Sequence, residues 1–267
     1  MFIRKSKNLN SWQKYTLILP TVSVGNVGQL SADLIVSTLS MERVGYILHP
    51  SLLPCVGNNP YAPENSTSCQ ITTCCEVYES EESRLVVVQQ RAPFIKGRRK
   101  EYVEWLTNWI KEQQFHQVVI LTSSFAHERL DHQLTGSPFR ILQSPKTEER
   151  CGALLKSDLG WKELELRHSF PAPSSNQRDS SDGDTKLLYM PGSGISKHLF
   201  ESCQELPVLV LLMFVSEGDN AQDAINMTDH LNKWLGFVKS EKKDQLWNVP
   251  TSWSLVFGST FDPKLFQ

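Results

Sequence analysis

The stretch YTLILPTVSVGNVGQLSADLIVSTL at residues 15–39 gives the clearest indication of the fold class of this chain. Its first five residues are a largely apolar run that ends at Pro20, which is typical of a short buried strand. The turn-forming residues SVGNVG at 23–28 follow, and apolar side chains then recur at helical intervals from Val27 to Ile35. The stretch therefore predicts a strand, a glycine loop and a helix.

The same alternation continues along the chain. Further strands are predicted at 44–48, 71–78, 84–90, 117–121, 186–190 and 208–215, and helices at 97–114, before Cys203 and around 224–238. The acidic turn at 79–82 favours a hairpin. Parallel strands need long crossover connections and are covered by helices on both faces. This order therefore predicts an α/β fold with a mostly parallel sheet covered by helices.

The domain organisation follows from the same pattern. We expect a single α/β domain at 15–257, an N-terminal tail at 1–14 and an extended C-terminal tail at 258–267. The Pro-, Ser- and Asp-rich segment 171–186 predicts a mobile surface loop, and the polar segment 125–162 predicts irregular structure. Neither flank of the loop has enough strands to close a core, so both are expected to join one sheet.

Composition and charge exclude several classes of partner. The chain has 267 residues with 40% hydrophobic content, and its 27 basic residues nearly balance 29 acidic ones. A net charge of −2 gives no general attraction to nucleic acid or anionic membranes. The longest apolar run, 206–215, is about half of the roughly 20 residues that a membrane-spanning helix needs. Because no signal peptide follows Met1, we expect a cytoplasmic and nuclear protein.

Six cysteines stand at positions 55, 69, 74, 75, 151 and 203. They lack the paired C-x-x-C spacing of a zinc site, and no histidine completes one. In a reducing compartment they are expected to be free thiols or buried small hydrophobic residues rather than disulfides. We expect neither a metal nor a cofactor.

The loop Gly25–Gly28 invites a phosphate-binding interpretation, because free N–H groups at a helix start attract anions. Its G-x-x-G spacing matches neither the dinucleotide fingerprint nor the P-loop. We therefore favour a structural role in which Asn26 caps the helix and the glycines permit a tight turn against the sheet.

Candidate catalytic residues lack a supporting pattern. Ser23, Ser123, Ser124 and Ser193 lie outside any G-x-S-x-G motif. His127 and His132, with Glu128, Arg129 and Asp131 between them, could hold an acid–base pair or a metal, but a solvated loop is the favoured interpretation. Glu217 and Asp219 follow a strand at the edge where α/β folds bind ligands, although acids also simply favour helix N-termini.

Longer segments carry a resemblance. They are PTVSVGNVGQLSADLIVSTL at 20–39, VGYIL at 44–48, VGNNPYA at 56–62, PGSGISKHLF at 191–200, FVSEGDN at 214–220 and PTSWSLVFGS at 250–259. In these segments the chain resembles the proteasome assembly chaperone 2 family. The resemblance implies a Rossmann-like α/β fold related to that of nucleoside phosphorylases and hydrolases but without their catalytic apparatus, and a non-enzymatic function.

The resemblance also implies partners. They are proteasome assembly chaperone 1, as an obligate heterodimer, and the α subunits of the 20S proteasome, whose ring assembly is promoted and whose off-pathway dimers are hindered. Two alternatives stay open. One is a hydrolase or phosphorylase of a nucleoside-like ligand that uses the Gly25–Gly28 loop with Glu217 or Asp219, and the other is a scaffold unrelated to proteasomes.

The last three residues carry one further implication of the resemblance. Family members can dock through a C-terminal hydrophobic-tyrosine-any tripeptide that enters pockets between α subunits. Leu265, Phe266 and Gln267 stand at these positions here. Phenylalanine keeps the aromatic body that fills such a pocket but lacks the hydroxyl, so the hydrogen bond of the tyrosine is in question. An ordinary frayed terminus is the alternative.

Overall fold

An eight-stranded sheet forms the centre of the computed structural model, which describes residues 1–5, 11–63, 70–168, 186–239 and 246–255. The strands are β1 (Phe2–Arg4), β2 (Thr16–Pro20), β3 (Glu42–Ile47), β4 (Val56–Asn58), β5 (Ile71–Thr73), β6 (Cys75–Ser80), β7 (Leu85–Gln90), β8 (Gln117–Phe125), β9 (Phe139–Gln143), β10 (Arg167–His168), β11 (Lys186–Leu187) and β12 (Val208–Val215). The α-helices are α1 (Val27–Thr38), α2 (Arg99–Gln113), α3 (Pro145–Ala153), α4 (Ser196–Ser202) and α5 (Ala221–Leu235).

The strand order of the large sheet is β1-β3-β6-β7-β2-β8-β12-β9. Its four central strands, β7, β2, β8 and β12, pair in parallel. The outer pairs are antiparallel, and they include the predicted hairpin of β6 and β7. The predicted α/β class with one sheet is confirmed. The sheet is mixed, because β1, β6 and β9 run against the other strands.

Helices cover both faces of the sheet. Successive side chains of a strand point to opposite faces, so Leu17 and Leu19 pack towards α2 and α4, whereas Ile18 packs towards α1 and α5. The central strand β12 is buried along its whole length, as expected for a parallel strand covered on both sides. The result is a three-layer arrangement with a hydrophobic core on each side of the sheet.

Two regions differ from the sequence-based expectation. Part of the predicted tail at 1–14 joins the sheet, since Phe2–Arg4 pairs with β3 and Trp12 is buried against Phe115. The polar segment 125–162 is more regular than predicted, because it contains β9 and α3. Ser144 starts α3 by accepting a hydrogen bond from the Thr147 backbone N–H.

Most of the predicted loop at 171–186 lies outside the described residues.

The segment between β3 and β6 leaves the large sheet and forms a small antiparallel ladder of β4 and β5. The predicted strand 71–78 is therefore two strands, separated by a bend at Cys74. Val56 and Ile71 are exposed on this ladder, with 70% and 53% of their surfaces accessible. Within the described ranges, none of the helices has both the length and the apolar character needed to cross a membrane.

Candidate functional site

The carboxyl ends of β2, β8 and β12 meet at one edge of the sheet. Open α/β sheets usually bind ligands at this edge, because the loops leaving neighbouring strands diverge there. A cleft of about 470 Å³ opens between these loops, and its lining includes Ser23, Gly25, Phe125 and Glu217. This edge is the candidate functional site, and it gathers most of the residues that the sequence singled out.

Close packing at this edge explains why the loop Gly25–Gly28 contains glycines. Gly25 has a φ of 63°, and a Cβ atom there would lie 2.3 Å from Asn220 Oδ1. A Cβ atom on Gly28 would lie 2.5 Å from the Leu121 carbonyl oxygen, so its absence lets α1 pack closely on β8. Asn26 is in the left-handed region, and its side chain makes no capping hydrogen bond. The tight turn is confirmed, but the predicted capping role of Asn26 is wrong.

Hydroxyl groups join the loops at this edge, and all of them are buried except that of Ser23, which is half-buried. We call Thr21, Ser23, Thr122, Ser123, Ser124 and Ser196 the edge hydroxyls. Thr21 Oγ1 is 3.0 Å from Thr122 Oγ1 and 2.7 Å from Ser196 Oγ. Ser23 Oγ is 2.8 Å from Ser123 Oγ.

The edge hydroxyls also donate to backbone carbonyl groups. Ser123 Oγ donates to the Val24 carbonyl, and Ser124 Oγ donates to the Pro191 carbonyl at 2.7 Å. Ser193, on the same turn, donates its hydroxyl to the Met190 carbonyl. None of the hydrogen bonds found for these serines in the described part of the chain involves a histidine. The hydrogen bonds of these serines therefore hold loops together.

The two acids that follow β12 have different positions. Glu217 lines the cleft, whereas Asp219 Oδ1 accepts a hydrogen bond from the backbone N–H of Ala221 at 3.0 Å. Ala221 is the first residue of α5. Asp219 thus satisfies a free N–H group at a helix start, in agreement with the favoured structural interpretation.

His127 and His132 lie in two successive 3-10 turns, Ala126–Glu128 and Asp131–Gln133. The exposed His132 faces Glu165 at 3.8 Å, and Glu128 pairs with Arg167 at 3.5 Å. No group of three metal-ligating side chains occurs among the residues that the structure describes. This surface supports the solvated-loop interpretation.

A buried charged group that the sequence analysis missed lies where α1 meets the carboxyl end of β7, the strand next to β2. Asp33 on α1 is 5% exposed, and its carboxylate accepts hydrogen bonds from Tyr61, Gln89 and Arg91. The donor distances are 2.6, 2.7 and 2.7 Å, respectively. We call these four residues the Asp33 cluster. It joins α1 to the end of β7 and to the loop that follows β4.

Glu76 on β6 forms a second charged centre beside this cluster. Its carboxylate accepts hydrogen bonds from Tyr78 Oη at 2.6 Å, Thr72 Oγ1 at 2.8 Å and Arg43 Nη1 at 2.7 Å. The rings of Tyr61 and Tyr78 meet edge to face with centroids 5.6 Å apart, which connects the two centres.

The pKa shifts fit the charge pattern of these centres. Burial and then the Asp33 carboxylate raise the pKa of Tyr61 well above its usual value. Burial and then Glu76 raise the pKa of Tyr78. Burial alone would lower the pKa of Arg91, but Asp33 and its other neighbours raise it. At neutral pH both tyrosines are therefore hydroxyl donors to carboxylates, and Arg91 is charged.

One sequence feature could have revealed Asp33. It stands between the apolar residues Leu30 and Leu34 on an otherwise buried helix, where a carboxylate requires a partner. Its partners are 28 to 58 positions away in the sequence, so they could not be identified from local spacing. Leu265, Phe266 and Gln267 lie outside the described residues.

Comparisons with known proteins place this geometry in context. Residues 17–242 match the sequence pattern of the PAC2 family. The chain is 40% identical to "Proteasome assembly chaperone 2" of Danio rerio over 269 residues and 40% identical to that of Homo sapiens over 273 residues. Both alignments cover 100% of each chain.

Solved structures resemble the fold. That of Pyrococcus furiosus PbaA, described as an archaeal homolog of proteasome-assembly chaperone, has a TM-score of 0.60 at 16% identity, covering 90% of this chain and 88% of that one. P. furiosus PbaB, described as an archaeal proteasome activator, gives 0.55 at 15% identity, covering 90% of both chains. At these identities the likeness concerns the fold alone.

Proposed function

Because this chain belongs to the PAC2 family, we propose that it is a proteasome assembly chaperone without catalytic activity of its own. The observation that carries the proposal is the 40% identity to curated proteasome assembly chaperones along the whole length of both chains. The edge hydroxyls support it, since they are engaged in hydrogen bonds that hold loops together, and none of these bonds in the described part of the chain goes to a histidine.

We further propose that the chain works as a heterodimer with proteasome assembly chaperone 1, and that the pair promotes assembly of the α-subunit ring and hinders off-pathway α-subunit dimers. This finer proposal rests on the family resemblance of the segments at 20–39, 191–200 and 214–220. All three segments contribute residues to the cleft, and each contains at least part of a helix or strand of the α/β fold. We expect the pair in the cytoplasm and the nucleus.

Co-expression of the two chains, followed by size-exclusion chromatography and a pull-down with proteasome α subunits, tests the proposal. We expect this chain to elute with its partner as a one-to-one complex and the complex to retain α subunits. Each chain expressed alone and mixed with the same α subunits is the matched control. Separate elution of the two chains would contradict the heterodimer, and loss of α-subunit retention would contradict the chaperone role.

For the chain end, we propose that Leu265, Phe266 and Gln267 contact α subunits. Deleting these three residues is expected to weaken retention of α-ring intermediates while leaving the heterodimer intact. Phe266→Tyr supplies the missing hydroxyl and is expected to strengthen retention, whereas Phe266→Ala is expected to weaken it. Equal retention by all four chains would show that these residues do not take part.

The cleft favours one alternative, a nucleoside-like ligand bound beside Gly25 with Glu217 at its rim. A thermal shift assay with a purine nucleoside, with inorganic phosphate and with the partner chain distinguishes the two functions. We expect stabilisation by the partner alone, because a ligand raises the melting temperature only if it binds the folded state. Stabilisation by the nucleoside or phosphate alone would replace the chaperone proposal with the enzyme alternative.

A further inference from the structure

Two cysteines face each other where the small ladder of β4 and β5 leaves the large sheet. Cys55 immediately precedes β4, and Cys74 immediately follows β5. The ladder is antiparallel and pairs Val56 with Thr73, and then Gly57 with Thr72. Continuing this register by one residue towards the sheet places Cys55 opposite Cys74.

Opposing residues of antiparallel strands have Cα atoms about 4.5 to 5.5 Å apart. A disulfide spans Cα atoms that are about 4.4 to 6.8 Å apart, so the register suits a cross-strand bridge. The two thiols are free in this structure. Cys74 itself forms the bend, which is held by hydrogen bonds from the backbone N–H groups of Arg91 and Ala92 to the Cys74 carbonyl.

The electrostatic environment independently places the two residues together. Burial and then the Cys55 thiol, when charged, raise the pKa of Cys74, while backbone N–H groups, among them that of Cys55, lower it. A backbone N–H group acts on a thiol only at hydrogen-bonding distance, so the Cys74 sulfur lies beside the Cys55 backbone.

The neighbouring thiol of Cys75 points elsewhere. Cys75 is fully buried, and its Sγ atom is 4.0 Å from the Tyr102 hydroxyl on α2. Cys55 is exposed whereas Cys74 is 6% exposed, so an oxidant in solution reaches Cys55 first. The pair therefore combines an accessible thiol with a sheltered one, which is the arrangement of an attacking and a resolving cysteine.

We propose that Cys55 and Cys74 are a redox site that forms a reversible disulfide with a low-molecular-weight disulfide, such as oxidised glutathione, as the oxidant. The Cys55 thiolate attacks one sulfur of the oxidant and releases one thiolate, which leaves a mixed disulfide on Cys55. The Cys74 thiolate then attacks the Cys55 sulfur and releases the second thiolate. The protein loses two protons and two electrons, and one oxidant molecule becomes two thiols.

The bridge has a structural consequence. The disulfide joins the two ends of the segment that carries the exposed side chains of Val56 and Ile71. One of these ends is the bend at Cys74, which is hydrogen-bonded to the residues just after β7. A closed segment has fewer conformations than an open one, so oxidation restricts the positions of these apolar side chains. The redox state of the pair thus controls how rigidly the ladder is attached to the α/β domain.

The full chain incubated with oxidised glutathione, blocked with N-ethylmaleimide and digested without reductant tests the site by mass spectrometry. We expect a peptide pair joined through Cys55 and Cys74, with complete loss of the joined pair after dithiothreitol. Oxidation is also expected to raise the melting temperature by an amount on the order of 5 °C. Cys55→Ser is expected to abolish both effects, and this residue is exposed, so the variant should fold.

Substitutions of the other cysteines are the matched controls, and they identify which two thiols form the disulfide. Cys151→Ser and Cys69→Ser are expected to keep the joined peptides, and Cys74→Ala is expected to lose them and to retain a glutathione adduct on Cys55. The proposal is overturned if the wild-type chain carries only glutathione adducts, or if the joined peptides link Cys55 to Cys69 or Cys74 to Cys75.

Discussion

The edge hydroxyls and the Asp33 cluster bury polar groups in opposite ways. The edge hydroxyls are neutral, and each bonds to another hydroxyl or to a backbone carbonyl. The Asp33 cluster is charged, and its carboxylate bonds to a guanidinium, a phenol and an amide. A neutral hydrogen bond contributes about 1 kcal/mol, whereas a buried charge left without its partner costs several times more.

The difference indicates what each region does. At the edge where α/β sheets usually bind ligands, weak neutral contacts fasten loops to one another. Charge is concentrated one strand further along the sheet, where the carboxyl end of β7 meets α1 and the loop after β4. Rigidity of the scaffold therefore depends more on the Asp33 cluster than on the edge, which suits a protein that presents a shaped surface to other proteins.

The strongest test of this comparison is Asp33→Ala. We expect a loss of about 3 kcal/mol in the free energy of unfolding, because the partly buried Arg91 guanidinium loses its carboxylate. Urea denaturation measures the loss, and Asp158→Ala, which removes an exposed acid, is the matched control. Equal stability of the two variants would mean that the Asp33 cluster does not hold the scaffold.

A second substitution examines the packing of the edge itself. In Gly28→Ala the new methyl group meets the Leu121 carbonyl oxygen at 2.5 Å, so α1 must move away from β8. We expect a loss of about 2 kcal/mol in unfolding free energy. Gly57→Ala is the control, since its Cβ atom would lie 3.6 Å from a Thr72 methyl carbon. A well-tolerated Gly28→Ala would show that the glycine is not needed for packing.

Thr21→Val probes the edge hydroxyls and should have a smaller effect. It keeps the shape of the side chain and removes the hydroxyl that meets Thr122 and Ser196, so we expect a loss of about 1 kcal/mol. A double-mutant cycle with Ser196→Ala in urea denaturation isolates the shared hydrogen bond. Strictly additive losses would mean that the two hydroxyls do not interact.

The smallest expected effect concerns Glu79, a buried carboxyl group that pairs with no arginine among the described residues. Glu79 accepts a hydrogen bond from Trp12 Nε1 at 3.1 Å, and burial raises its pKa although the Trp12 and Tyr15 side chains oppose the shift. The stability that its protonated form contributes is complete below the pKa of an unfolded glutamate, about 4.3, and is lost as pH rises through the folded pKa.

Glu79→Gln therefore should gain stability relative to the wild type as pH rises from about 4 to 7. Urea denaturation across this range measures the difference, which we expect to be smaller than the three losses above. Glu82→Gln, in the exposed turn after β6, removes a carboxylate from the surface and is the matched control. A gain that is the same at every pH would contradict the raised pKa.

Much of the fold could be predicted from the sequence because its determinants are local. The apolar run before Pro20 and the helical spacing from Val27 gave β2 and α1, and the apolar run at 208–215 gave β12. The short strand β1 and the strand β9 were missed, since both are edge strands that depend on pairing with a distant partner. The glycine loop was identified, but the reason for its glycines, which is close packing against Leu121 and Asn220, required the structure.

Hydrophobic periodicity and long segments of similarity are properties of neighbouring residues, so the α/β class, the buried strands and the family could be inferred before any coordinates were known. Which polar groups meet depends on how the elements pack in three dimensions. The engagement of the edge hydroxyls, the partners of Asp33 and the juxtaposition of Cys55 with Cys74 join residues that are 19 to 175 positions apart. The physical reason is that hydrogen bonds and thiol contacts act over a few ångströms in space, whatever the separation along the chain.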